Sequence, residues 1–294
     1  MLPLITLEEH YVSREAGSAH FTAFPPELIT KLKSLGEERI KDLDDGGVST
    51  QVISHGPFEG SLDMCRRANN ELAEAISKNP TRLAGFAVEL GFVGALVDNH
   101  LENGRFYDDE HFWPVFEASQ ELDVPIYLHP NFASDTMLEH YKGNYDENRA
   151  ETGLHILRLY CSGLFDRYPK LKIIIGHMGE LLPFQLERIV RASRMCGRER
   201  GLREVWKSNI WITTSGTFAL APLACLLQTT TIDHVLYSVD YPFSTNEMGN
   251  QFIDEIQGSK LMSEKELEMF TYRNAEKLLK IKAATEVEVA EVEY

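Results

Sequence analysis

Short apolar, β-branched runs alternate along this chain with stretches whose apolar residues recur at helical spacing. Eight runs read as strands: LPLITLEEH (2–10), TQVISH (50–55), RLAGFAVEL (82–90), GFVGALVD (91–98), VPIYLHP (124–130), KIIIGH (172–177), IWITTSG (210–216) and HVLYSVDYP (234–242). Wholly apolar runs such as KIIIG suit a sheet buried on both faces. Between most of them lie amphipathic stretches: 26–36 continued by 37–44, 65–78, 111–122, 147–164, 180–195, 219–228 and 263–281. The last opens on Ser263-Glu264-Lys265-Glu266, a capping-box pattern. This is the alternation of parallel strands with crossover helices.

Eight such alternations in 294 residues predict an α/β fold, a (β/α)8 TIM barrel, over residues 1–281, with an acidic, frayed tail at 282–294. The alternative, an open doubly wound sheet, puts a glycine-rich turn after its first strand. Here that strand ends in Glu-Glu-His. One junction breaks the pattern. Residues 82–90 run into 91–98 without a helix, although parallel neighbours need a crossover of roughly a dozen residues. Either one of these two runs is not a strand, or the barrel is short of one crossover helix after its third strand.

Composition narrows the class. At 43% hydrophobic and 25% charged residues, the chain can build a large core, and disorder is excluded. No apolar run approaches the ~18 residues that cross a bilayer. The opening MLPLITLEEH reaches Glu8 too soon for a secretory signal, so a cytoplasmic setting is expected. A net charge of −16 argues against nucleic acid or anionic membrane as partner. The most basic stretch, Arg188 to Arg203, is interleaved with apolar residues and reads as a solvated helix face. Cys65, Cys161, Cys196 and Cys225 form no CxxC pair, which removes zinc-finger and thioredoxin readings; reduced, buried thiols are the simple account.

A barrel enzyme carries its chemistry where strands end. Those ends hold Glu8 and His10, His55, Asp98, His129, His177, Ser215 and Asp240. In a strand, residues i and i+2 share a face, so Glu8 and His10 project together and Glu9 projects oppositely. A carboxylate and an imidazole on one face suit a divalent first-row metal, or form a surface pair. His129 is a ligand or a core histidine. Glu180 orients His177 or favours a helix N-terminus. Asp240 closes an apolar strand, where it needs a metal, a cation or a proton; an arginine is the plain alternative. Taken together, Glu8, His10, His129 and Asp240 supply two carboxylates and two imidazoles from the first, fifth and eighth strands. Closure of a barrel makes the first and eighth strands neighbours, so these groups can converge, with His177 beside them as acid or base.

The motifs ITLEEH, YLHP, IIIGHMGE and SVDYPF, in this order, resemble the metal-dependent decarboxylases of the amidohydrolase superfamily, in particular those acting on ortho-hydroxylated benzoates such as γ-resorcylate and 2,3-dihydroxybenzoate. The resemblance runs from Ile5 to about Ile281. It implies one divalent ion, zinc or manganese, held by Glu8, His10, His129 and Asp240, and no organic cofactor. It implies His177 and Asp240 as catalytic groups with Glu180 behind His177, and Phe243 against the aromatic ring. Two-metal relatives carry a bridging lysine at the end of the fourth strand; here that end reads Leu96-Val97-Asp98-Asn99, which favours a single metal. The implied reaction is non-oxidative loss of CO2 from a small aromatic carboxylate, by a homo-oligomer, dimer or tetramer. The runners-up are a metal-dependent hydrolase of a lactone or amide and a non-catalytic barrel. The chain is shorter than such relatives at Val88 to Gly91 and between Tyr145 and Thr152.

Overall fold

A computed structural model describes residues 2–14, 16, 24–56, 60–87, 92–101, 104–130 and 151–284. Its strands are β1 (Ile5–Tyr11), β2 (Thr50–His55), β3 (Leu83–Gly85), β4 (Ala95–Asp98), β5 (Ile126–His129), β6 (Ile173–Ile175), β7 (Ile210–Thr213) and β8 (Val235–Leu236). Each lies inside a run expected from the sequence, β1 extending one residue further. The chain divides into two compact units, one of residues 1–94, 213–220 and 235–294, the other of residues 95–212 and 221–234.

In the first unit β1, β2 and β3 form a parallel sheet in that order. All seven residues of β1 are buried. Its register against β2 slips between Thr6 and Glu9, a bulge. The amides of the two residues within the slip, Leu7 and Glu8, both donate to the Ser238 hydroxyl, at 3.1 and 2.8 Å. The His10 amide donates to the Tyr241 carbonyl at 2.7 Å. The last strand region therefore lies directly beside the first, as closure requires. Expected to span 234–242, β8 is only two residues long. Beyond it, side chains capture the backbone: Ser238 N donates to Thr214 Oγ1, and Val239 N and Tyr241 N donate to Glu9.

The core of this unit is built on Tyr11, Leu43, Val48, Ile53, Leu72 and Leu83. Phe92 packs against it. Between β3 and β4 the described residues hold no helix. Val93 N donates to Gly85 O at 3.1 Å and Ala87 N to Gly94 O at 2.9 Å, so the chain folds back on the end of β3. Residues 88–91, where the expected gap falls, lie outside the described ones. The capping box at Ser263 and Glu266 forms as expected, but a π-helical turn, Met269–Arg273, interrupts the helix it opens. That turn presents the Phe270 carbonyl to Tyr237 N at 3.1 Å. Of the expected tail, residues 285–294 lie outside the described residues, as do most of 145–152.

In the second unit β4, β5, β6 and β7 pair in parallel, in chain order. β6 is wholly buried, whereas all four residues of β4 are half-exposed. Two helices escaped the sequence reading, Leu202–Asn209 here and Asn246–Ser259 in the first unit. The expectation of buried, reduced thiols is corrected. Cys161 is exposed at the end of helix Glu151–Ser162, and Cys196, half-buried in the turn after helix Leu182–Ser193, is disulfide-bonded to it. Their Cα atoms stand 5.3 Å apart, a bridging distance. Cys65 and Cys225 are free and half-buried. Among the described residues no helix is long and apolar enough to cross a membrane.

The fold-back after β3 leaves no room at Gly85. A Cβ there would meet the Phe92 ring at 2.7 Å and Ile76 Cδ1 at 3.0 Å. Gly85→Ala is expected to cost roughly 1–3 kcal/mol by forcing Phe92 outward, read as a lowered urea midpoint; an unchanged midpoint would show that Phe92 is not packed there.

Candidate active site

Glu8, His10 and Asp240 stand on the seam between β1 and residues 238–241. Glu8 is fully buried, and its Oε2 lies 3.5 Å from the Thr213 hydroxyl, which is hydrogen-bonded in turn to Ser215 Oγ at 2.5 Å. His10 Nε2 stands 3.3 Å from Asp240 Oδ1. Among the described residues the partner of Asp240 is thus an imidazole and not an arginine. Asp240 holds a left-handed backbone, φ 68°, and its Oδ2 would lie 3.3 Å from a Cβ placed on Gly216. A side chain at 216 would press on this carboxylate, and Gly216 is itself left-handed at φ 68°. Phe243, half of it exposed, sets its ring edge-on to His10 at 5.7 Å and to Phe24 at 5.6 Å.

The sequence assigned Glu9 to the opposite face and gave it no role. It is the best-connected carboxylate of the seam. One oxygen accepts from Ser238 Oγ at 3.0 Å and Val239 N at 3.1 Å; the other accepts from Tyr241 N at 2.7 Å. Burial pushes its pKa up to about 8, against these three hydrogen bonds, and the charge of Asp240 adds to the rise. Arg39, also fully buried, donates to the His10 carbonyl and to Gln51 Oε1, and its guanidinium lies over the Tyr241 ring. Burial lowers Arg39 to about 10, opposed by the attraction of Tyr241, Glu9 and Asp42. The Tyr241 hydroxyl donates to Asp42, which also accepts from Lys31. The signal that could have found this network was present: Glu9 is a carboxylate in a strand whose other neighbours are apolar or ligand-like.

In the second unit His129 and Asp98 end adjacent strands in register, with His129 Nδ1 at 3.8 Å from Asp98 Oδ1. His177 is buried and follows β6 in a run of four positive φ values: His177 50°, Met178 58°, Gly179 73° and Glu180 52°. Glu180 precedes the helix Leu182–Ser193 rather than opening it. Gly179 fits because a Cβ would crowd Pro183 at 3.2 Å and Trp206 at 3.5 Å. His55, a strand-end histidine, is engaged structurally: Ser13 N donates to its Nε2 at 2.8 Å, and Nδ1 reaches the Gly56 carbonyl.

A family model described as amidohydrolase matches residues 37–281. The chain belongs to the amidohydrolase family. It is 43% identical over 323 residues to the decarboxylase orsB of Emericella nidulans, with 95% of this chain and 97% of that protein covered. It is 32% identical to the γ-resorcylate decarboxylase of a Polaromonas species, covering 94% and 98%. A solved structure of a Polaromonas dihydroxybenzoic acid decarboxylase, with bound manganese and the inhibitor 2-nitroresorcinol, superposes with a TM-score of 0.85 at 31% identity, covering 95% of this chain and 97% of that one. The fold is accordingly the amidohydrolase TIM barrel that the strand–helix alternation predicts. The alignment to orsB is longer than the 294 residues of this chain, so that relative carries segments missing here.

Buried His155, on helix Glu151–Ser162, gives the second unit a pH signature. Its Nε2 accepts from Tyr107 N at 3.2 Å and Nδ1 meets Asn99 Oδ1 at 3.2 Å. Burial lowers its pKa to about 3, with Asp108 opposing. The folded value lies below the unfolded value of 6.5, so this group's contribution is full above pH 6.5 and is lost as pH falls towards 3. The slope from one group is at most about 1.4 kcal/mol per pH unit. His155→Gln keeps an acceptor and a donor without titrating, and should flatten the acid limb of the urea midpoint; curves parallel to wild type would reject this role.

Proposed function

We propose that this protein catalyses non-oxidative decarboxylation of an ortho-hydroxylated aromatic carboxylate, with Glu8, His10, His129 and Asp240 holding one divalent cation. The observation that carries the reading is the approach of His10 Nε2 to Asp240 Oδ1 at 3.3 Å, on side chains 1% and 9% exposed. Nitrogen and carboxylate donors so placed fit zinc or manganese, and Glu8 and His129 each offer one further donor atom of the same kinds. Further support is the 43% identity to a decarboxylase across nearly the whole chain. The γ-resorcylate decarboxylase and the manganese-bound, nitroresorcinol-inhibited relative set the substrate class, a ring bearing hydroxyl groups beside the carboxylate.

Loss of CO2 from a ring is slow because the departing carboxylate leaves an electron pair on a ring carbon. Protonating that carbon first removes the difficulty. When bound, a divalent cation supplies Lewis-acid stabilisation of the ortho-phenolate and a template for the carboxylate. Asp240, alone or in relay with His177 and Glu180, delivers a proton to the ring carbon that bears the carboxylate. The C–C bond then breaks, its electrons restore the aromatic ring, and CO2 departs. Phe243 lies against the ring and helps to exclude water. We extend the proposal to a homo-oligomer, dimer or tetramer, in the cytoplasm, where the Cys161–Cys196 bridge would be an exception among reduced thiols.

Asp240→Asn, with bound metal verified, is expected to lower CO2 release from a panel of hydroxybenzoates at least ~100-fold, the span of a lost general acid. Full turnover in that variant would reject Asp240 as the proton donor. Cleavage of lactones without CO2 release by wild type would reject the decarboxylase reading.

A further inference from the structure

Glu9 is a fully buried carboxylate that the reaction above does not use. Its position is particular. Its two oxygens grip the backbone amides on both sides of Asp240, Val239 N through Oε1 and Tyr241 N through Oε2. Asp240 between them sits at φ 68°, a conformation that L-residues other than Asn and Asp rarely adopt. Gly216 backs the Asp240 carboxylate from one direction and His10 meets it from another.

We propose that Glu9 is the positioning residue for Asp240: by fixing both flanking amides, it holds the Asp240 backbone left-handed and so aims the carboxylate at His10. The proposal rests on the reading of Asp240 as ligand and proton donor. The two-oxygen grip explains why a carboxylate stands here. A glutamine has one acceptor oxygen and would set an NH2 group against one of the two amides. An apolar residue would leave both amides unsatisfied. Either failure loosens the backbone of Asp240 without touching substrate. Arg39 ties the His10 carbonyl into the same network. Ser238 completes the clamp, accepting from Leu7 N and Glu8 N while donating to Glu9. One carboxylate and one hydroxyl thereby fix both sides of the seam, with Glu8 and His10 on β1 and Asp240 opposite.

The test titrates Mn2+ alone into metal-free wild type, Glu9→Gln and Gly85→Ala, and then measures kcat and KM for CO2 release from 2,6-dihydroxybenzoate. Gly85→Ala, two strands from Glu9 in the same sheet, is a destabilised control that removes none of the hydrogen bonds of the clamp. Glu9→Gln is expected to bind Mn2+ about 10- to 100-fold more weakly, as loss of a group supporting a ligand does. Its kcat should fall by a similar factor with KM changed less than threefold. Wild-type Mn2+ affinity in folded Glu9→Gln would overturn the proposal. So would an equal loss of affinity in Gly85→Ala, which would mark the effect as general destabilisation. Should Glu9→Gln not fold, Glu9→Asp, which keeps a carboxyl group but shortens the reach to the two amides, carries the same expectation and the same refutation. Failure of wild type to release CO2 would reject the decarboxylase reading, while the Mn2+ titration would still decide the role of Glu9.

Discussion

Between β1 and residues 238–241 a hydroxyl and a carboxylate do what a strand ladder does elsewhere. Ser238 Oγ takes the two amides released by the bulge in β1, and Glu9 takes the two amides flanking Asp240. A regular ladder would hold every residue of the last strand extended, and Asp240 could not then turn left-handed. Side-chain acceptors free the backbone to bend while keeping its polar groups satisfied, which burial demands. The ligand-like side chains of the first unit depend on this seam, because each is carried by a residue that it holds.

The arrangement is expensive in electrostatic terms. Glu9 and Arg39 are both removed from water, and burial moves their pKa values in opposite directions, each toward neutrality. Buried charge is tolerable only where it is paired and hydrogen-bonded. Here the carboxylate has three donors and the guanidinium has a carbonyl, an amide oxygen and an aromatic face. Lys31, Asp42 and the Tyr241 hydroxyl then lead the network outward to partly exposed groups. An apolar replacement of the whole cluster would pack more cheaply, but could not direct Asp240.

Local patterning made most of the architecture readable. β2 matches its expected span because its apolar run is bounded by polar residues and glycine. β8 was overestimated, since hydrophobicity continues past Leu236 while the hydrogen bonds that define a strand pass to side chains. Helix Asn246–Ser259 carries a Thr245 N-cap and helically spaced Phe252, Ile253 and Ile256, yet Gly249 and Gly258 break its pattern. Gly249 is there for the Tyr237 hydroxyl, which would lie 2.1 Å from a Cβ. Glu8, His10 and Asp240 were legible as polar endings of apolar runs. Glu9 was legible only as a carboxylate out of place in that strand; its role was not, because it depends on partners some 230 positions away. His55 looked equivalent to the other strand-end histidines, and only its bonds to Ser13 and Gly56 reveal it as scaffold.

The turn from His177 to Glu180 holds three non-glycine residues, His177, Met178 and Glu180, at positive φ. Each such residue costs on the order of 1 kcal/mol or more relative to relaxed backbone. That reservoir narrows the amino acids the segment can accept as the sequence drifts. At Met178, glycine or asparagine would relieve the backbone, whereas valine or isoleucine would tighten it against its β-branch. The buried imidazole at the head of the turn is thus attached to backbone that glycine or asparagine would relax and branched residues would strain, while burial of the Met178 side chain opposes a smaller one.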